Sequence, residues 1–146
     1  MTNHILSPAL AGLFCLMKQF SYNKTEKLKS RKQTEELFSK GKSFTIFPLR
    51  VLYLGVQQQE GPVKAGVGVS SRNFKKAVQR NRIRRLLREA YRTEKIPLYH
   101  QLENTGGHLN LFLLYIGKEM PEYVLLKEKM RLIIQRLIKE LSETVS

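Results

Sequence analysis

The chain has 146 residues, with 26 Lys and Arg against 12 acids and a formal net charge of +14. That length supports one domain with a modest core, and that charge asks for a polyanionic partner, either nucleic acid or an anionic surface. Every acid is Glu and there is no Asp, so the clustered carboxylates that metal-dependent nucleases use are missing from the pattern.

Residues 1–17 differ from the rest. Ile5 to Phe20 is apolar with no cation before Lys18, and it lacks the positive n-region of a secretory signal. We expect residues 1–17 to be an extension, with 1–16 dispensable, and residues 18–146 to be a single domain. No run reaches membrane-spanning length. Cys15, the single cysteine, permits no internal disulfide, and a reduced, cytoplasmic setting fits. His4, His100 and His108 stand far apart, without metal-ligand spacing.

Lys18 to Lys32 reads as a basic, polar arm that includes Lys29 and Arg31. Ser30 with Gln33 forms a capping-box pattern that starts a short helix carrying Leu37 and Phe38, with Gly41 as its stop. Phe38 is open to two readings, core residue or base-stacking residue. Lys42 to Phe47 reads as a strand broken at Pro48. In the next strand Leu49, Val51 and Tyr53 alternate with Arg50, Leu52 and Leu54, which leaves Tyr53 open to a core position with Arg50 facing out. After a turn at Gln57–Pro62, Val63, Ala65, Val67 and Val69 alternate with Lys64, Gly66, Gly68 and Ser70. One face of this strand is aliphatic and the other nearly bare, either to ease packing or to floor a nucleic-acid site.

Nine cations lie between Arg72 and Arg92 against one acid, Glu89. On a helix, Ile83, Leu86, Leu87, Ala90 and Tyr91 gather on one side. Asn81, Arg84, Arg85, Arg88 and Arg92 gather opposite, flanked by Arg80 and Arg82. Like charges at these spacings repel, and solvated faces usually mix signs. Arg offers a planar fork for phosphate and stacks on bases. A basic patch confined to one helix face therefore points to nucleic acid.

Ile96 to Gly107 reads as a long connection. Leu109 to Ile116 is a continuous apolar run, taken as a fully buried strand. After Pro121, the positions Leu125, Leu126, Met130, Ile133, Ile134, Leu137, Ile138 and Leu141 form an amphipathic closing helix whose stripe is core. The order αβββαβα makes an α/β (α+β) sandwich, with helices packed on a mixed four-stranded sheet.

The run Arg80-Asn81-Arg82-Ile83-Arg84-Arg85, after the strand Gly66-Val67-Gly68-Val69-Ser70-Ser71, resembles the signature of the bacterial ribonuclease P protein component. Leu28 to Arg31 and Leu37 to Ser43 are similar to that family's first helix and following turn. The resemblance covers roughly Lys27 to Leu141. It implies a left-handed βαβ crossover, which nothing in the pattern itself shows. It also implies a protein subunit that binds a catalytic RNA and the 5′ leader of precursor tRNA. Magnesium would be held mainly by the RNA. No site residue in this chain is expected to be catalytic, and no protein partner is evident. The expected RNA-binding residues are Arg80, Asn81, Arg82, Arg84, Arg85, Arg88, Arg92, Arg72, Lys76, Lys29 and Arg31, with Phe38 and Tyr53 in the leader cleft. Where the family has a second aromatic one turn before Phe38, this chain has Thr34. The competing readings are a ribosomal or other structural RNA-binding protein and a DNA major-groove reader. Base-reading helices mix residue types at a few positions, which a continuous Arg face does not.

Overall fold

The computed structural model describes Tyr22, residues 26–57, Gln59 and residues 61–145. The expected 1–17 extension, together with Lys18 and Lys24 of the arm, lies outside the described residues. Helix α1 spans Arg31–Lys40. Its cap is half of the box expected from sequence: the Gln33 backbone N–H donates to Ser30 Oγ at 3.4 Å. The Gly41 N–H closes the helix on the Leu37 carbonyl.

Four strands follow the expected positions, β1 (Lys42–Ile46), β2 (Leu49–Val56), β3 (Val63–Val69) and β4 (His108–Tyr115). The sheet order is β1-β2-β4-β3. Strand β4 runs antiparallel to β2 and parallel to β3, so the chain must cross over between β3 and β4. The crossover contains α2 (Ala77–Glu94) and a second helix, α3 (Ile96–Thr105), followed later by α4 (Tyr123–Val145).

Helix α3 corrects the reading of Ile96–Gly107 as an irregular connection. Pro97 sits at its first turn, where a missing N–H costs nothing, and Gly106 closes it in the left-handed region at φ 72°. Leu98 and Leu102, one turn apart, are buried, and that pair supplies the packing.

The main core lies on one face of the sheet. Leu49, Val51 and Tyr53 of β2 and Leu109, Leu111, Leu113 and Tyr115 of β4 meet Ile83, Leu87, Ala90 and Tyr91 of α2 and Leu126, Met130, Ile133, Ile134 and Leu137 of α4. Burying each such aliphatic side chain contributes about 1.5–3 kcal/mol. Leu125, expected in the α4 stripe, is 40% exposed. It sits about 100° from Leu126 around the helix, on the flank shared with exposed Leu132.

The other face is only partly covered. Residues of even number on β2 and β4 point there, because successive side chains alternate. Leu52 pairs with Phe112, which pairs with Gly66, and Arg50 pairs with Leu114, which pairs with Gly68. Helix α1 packs over this face, with Leu37 fully buried and Phe38 49% exposed. Strand β4 is therefore not buried on both faces as its apolar run suggested, since Phe112 and Leu114 are only half-buried.

Candidate nucleic-acid interface

Helix α2 presents its cations as its periodicity requires. Ile83, Leu87, Ala90 and Tyr91 are buried, which turns Asn81, Arg82, Arg85 and Arg88 outward and leaves Arg80, Arg84 and Arg92 half-exposed. These residues are not equivalent. Arg80 donates to the backbone carbonyls of Phe74 (2.9 Å) and Lys75 (2.7 Å), so it ties the β3–α2 loop to the helix start. Arg84 donates to Asn81 Oδ1 at 2.9 Å, which fixes both side chains on the surface. Arg92 makes a two-pronged contact with Glu89. That hydrogen bond holds the Glu89 carboxyl below its usual value. Arg82, Arg85 and Arg88 make no hydrogen bond or ion pair with another described residue. Uncompensated guanidinium forks at one face are the state that phosphate oxygens complete.

The second surface is the open face of the sheet. The Phe38 ring meets Phe112 edge-on at 5.1 Å between centroids. Phe112 in turn lies across the bare side of β3: a Cβ at Gly68 would stand 2.7 Å from its Cζ, and one at Gly66 3.0 Å from its ring. The glycines thus accommodate an aromatic side chain, and Phe38 and Phe112 offer a partly exposed aromatic floor with exposed Arg50 on the same face.

The basic arm joins the two surfaces. Strand β3 is an edge strand, and Lys27 forms a parallel bridge with Ala65 on its free side. The Leu28 N–H donates to the Ala65 carbonyl at 3.0 Å, and Leu28 Cβ lies over Gly66. Tyr22 stands edge-on to Tyr91 of α2 at 5.8 Å. Burial pushes its hydroxyl up to about 12, opposed by the positive charge of Arg88. At the α2–α3 junction the buried Lys95 ammonium pairs with Glu26, which also accepts from the Tyr99 hydroxyl at 2.7 Å. Lys27, Lys29 and Arg31 are therefore held, exposed, at the margin between the aromatic floor and the Arg face.

The ribonuclease P family profile matches residues 22–138, most of the chain. The ribonuclease P protein component of Porphyromonas gingivalis is 34% identical over 105 residues, covering 71% of this chain and 77% of the relative. That of Chlorobium phaeobacteroides is 36% identical over 120 residues, covering 75% and 82%. The chain belongs to the ribonuclease P protein family. Its fold is that of the Staphylococcus aureus ribonuclease P protein (TM-score 0.62, 17% identity, 78% of this chain and 96% of the other). The Thermotoga maritima ribonuclease P protein shares it too (TM-score 0.57, 22% identity, 76% and 96%). As a member of this family the chain is an RNA-binding protein subunit of ribonuclease P, an endoribonuclease holoenzyme of tRNA processing.

Within that family frame, most of the expected site residues converge. Asn81, Arg82, Arg84, Arg85, Arg88 and Arg92 share one helix face, while Arg72 and Lys76 are exposed just before or at the helix start. Tyr53 departs from expectation. It is 7% exposed, on the core side of β2, edge-on to Phe44 at 5.9 Å and hydrogen-bonded to Glu140. Burial and that bond push its hydroxyl up to about 12. The β2 residues that share a face with Phe38 are Arg50 and Leu52. Sequence reasoning also missed Glu26, Tyr22 and Phe112, and the bonds by which Arg80 holds the β3–α2 loop. Alternation along β4 was the one available signal, for Phe112. Among the described residues no three His, Cys, Asp or Glu side chains gather into a metal site, and no helix is long and apolar enough to cross a membrane.

Proposed function

We propose that this subunit works in the cytoplasm as a binder of phosphate and leaves cleavage to the RNA of the holoenzyme. The Arg face of α2 docks on the catalytic RNA. The Phe38–Phe112 floor, with Arg50 and the arm, receives the single-stranded 5′ leader of precursor tRNA. The observation that carries this reading is the arm: Leu28 lies over the glycine floor, while Tyr22 packs on Tyr91 of the Arg helix within reach of the Arg88 charge, so the arm runs from the floor to that helix. Aromatic floors and phosphate contacts bind single strands with little sequence preference. On this reading magnesium is held by the RNA. Neutralised phosphates let an RNA fold and bind substrate at lower divalent concentration. The test is reconstitution with a bacterial ribonuclease P RNA and precursor tRNA at low magnesium. Strong stimulation is expected, with no cleavage by RNA-free protein. Failure to stimulate, or cleavage without RNA, overturns the proposal.

A further inference from the structure

The carboxyl end of β4 opens into a groove that the Arg face and the aromatic floor do not use. Tyr115, Ile116 and Gly117 at that strand end line it together with Phe47 and Pro48 of the β1–β2 turn. The groove has a volume of about 850 Å³ and runs between the β1–β2 turn and the start of α4. Three of its walls are apolar side chains turned to solvent: Phe47 at 67%, Met120 at 39% and Leu125 at 40% exposure. Isolated exposed apolar residues need no explanation, but several converging on one crevice mark a site that something covers.

The neighbouring cations indicate the occupant. Lys118, Glu119, Glu122 and Lys129 all line the groove, so the crevice alone is close to neutral. Its floor is tied to the basic helix start. The Asn73 side-chain amide donates to the carbonyls of Ile116 (3.2 Å) and Gly117 (3.3 Å), and Phe74 packs on Tyr115 at 6.0 Å. Arg72, Lys75 and Lys76, all exposed, flank Asn73 and Phe74 in the chain and so place cations between that floor and the Arg helix. An aromatic ring and a thioether at the end of a track of cations match an unstacked nucleobase whose flanking phosphates follow the track.

We infer that this groove is a second RNA site, which takes an unstacked base of the ribonuclease P RNA against Phe47 and Met120, with Lys118 and Lys129 on the adjoining phosphates. The inference rests on the docking of α2 on that RNA proposed above. The chain contains no Trp, so F47W supplies a single indole at an exposed position. The wild type and variants are titrated with a bacterial ribonuclease P RNA transcript, and binding is followed separately by anisotropy of end-labelled RNA. The indole emission is expected to be quenched at saturation. F47A should lose about tenfold in affinity, the order expected for one stacked base, while circular dichroism shows an intact fold. K118A should lower the salt slope by about one contact, 0.7–0.9. Unchanged indole emission while the RNA binds, with F47A at full affinity, overturns the site. So does a concentration-dependent dimer dissolved by F47A, because a second copy would then cover the patch. Failure of the wild type to bind the RNA at all would overturn the docking reading itself, so the two failures are distinguishable.

Discussion

Lys95 and Glu26, 69 residues apart in the chain, form an ion pair in which the lysine side chain is 1% exposed and the glutamate 13%. Burial drives the Lys95 pKa down, and Glu26 opposes that shift. The Tyr99 hydroxyl occupies the same carboxylate oxygen, and the Lys95 ammonium lies 5.0 Å from the Tyr99 ring centroid. This cluster fastens the basic arm beside the free edge of β3 and so sets where Lys27 and Lys29 stand relative to the Arg helix.

Breaking a buried pair by removing one partner costs about 3–5 kcal/mol, whereas replacing both with apolar groups is often neutral. Glu26→Ala is therefore expected to destabilise the protein strongly. The Glu26→Leu/Lys95→Met double variant should recover most of that loss in urea unfolding. Amide exchange at Leu28, whose N–H is bonded to Ala65, should accelerate in the single variant. If Glu26→Ala melts like the wild type, the arm is not held by this pair.

The Arg helix makes a sharper division. Arg85→Ala and Arg88→Ala remove outward guanidinium groups without described hydrogen bonds. Each should lower RNA affinity by roughly 1–2 kcal/mol and the salt slope by about one contact, with the melting temperature unchanged. Arg80→Ala should behave differently, because its two bonds to the Phe74 and Lys75 carbonyls hold the loop. Loss of about 1–2 kcal/mol of stability is expected there. Ile83→Ala or Leu87→Ala, at fully buried positions, should cost about 2–4 kcal/mol through a cavity. Denaturant titrations paired with filter binding separate the three classes.

These contrasts show what was legible before the structure. The α2 faces followed from a 3.6-residue period, because its apolar and cationic residues separate cleanly. The parity of β2 follows from its alternation too, which turns Arg50 outward and admits Tyr53 to the core; only the leader-cleft place expected for Tyr53 fails, since Leu52 shares the face of Phe38. Strand β4 hid Phe112 because Leu111 to Tyr115 is apolar on both faces, so that only the alternation from His108 and Asn110 marks its side. Helix α3 was obscured by Pro97 and by an apolar pattern of only two buried leucines. Bonds from Arg80 to carbonyls and from Glu26 to Lys95 leave no periodic trace, so only the folded chain reveals them.

The glycine floor gives a test with an internal control. A Cβ at Gly68 would stand 2.7 Å from the Phe112 ring, whereas one at Gly55 would meet nothing within 4 Å. Gly68→Ala should force the Phe112 ring to tilt towards Phe38, at a stability cost of about 1 kcal/mol. It should reduce binding of a leader-bearing precursor tRNA more than binding of one without a leader. Gly55→Ala should leave both unchanged. Equal loss for both substrates would remove the sheet face from leader binding.

The Tyr53–Glu140 bond predicts a pH window. Glu140 is held below the usual carboxylate value, first by the Tyr53 hydrogen bond and also by Arg136. Its contribution is therefore present above the unfolded carboxyl pKa and is lost as pH falls through the folded value. Tyr53 is pushed up to about 12 from 10.0. A group raised in the folded state contributes fully below its unfolded pKa, and that contribution fades as pH rises from about 10 towards 12. The pair thus supports the fold across the neutral range and weakens at both ends. In urea midpoints measured from pH 3 to pH 11, Tyr53→Phe should flatten both limbs, while Glu140→Gln should flatten chiefly the acid one. Arg136 lies 4.4 Å from the Phe44 ring centroid and donates to Glu140 at 3.1 Å. Limbs as steep in Tyr53→Phe as in the wild type would show that this bond, which closes the core side of β2 against α4, does not set the pH dependence.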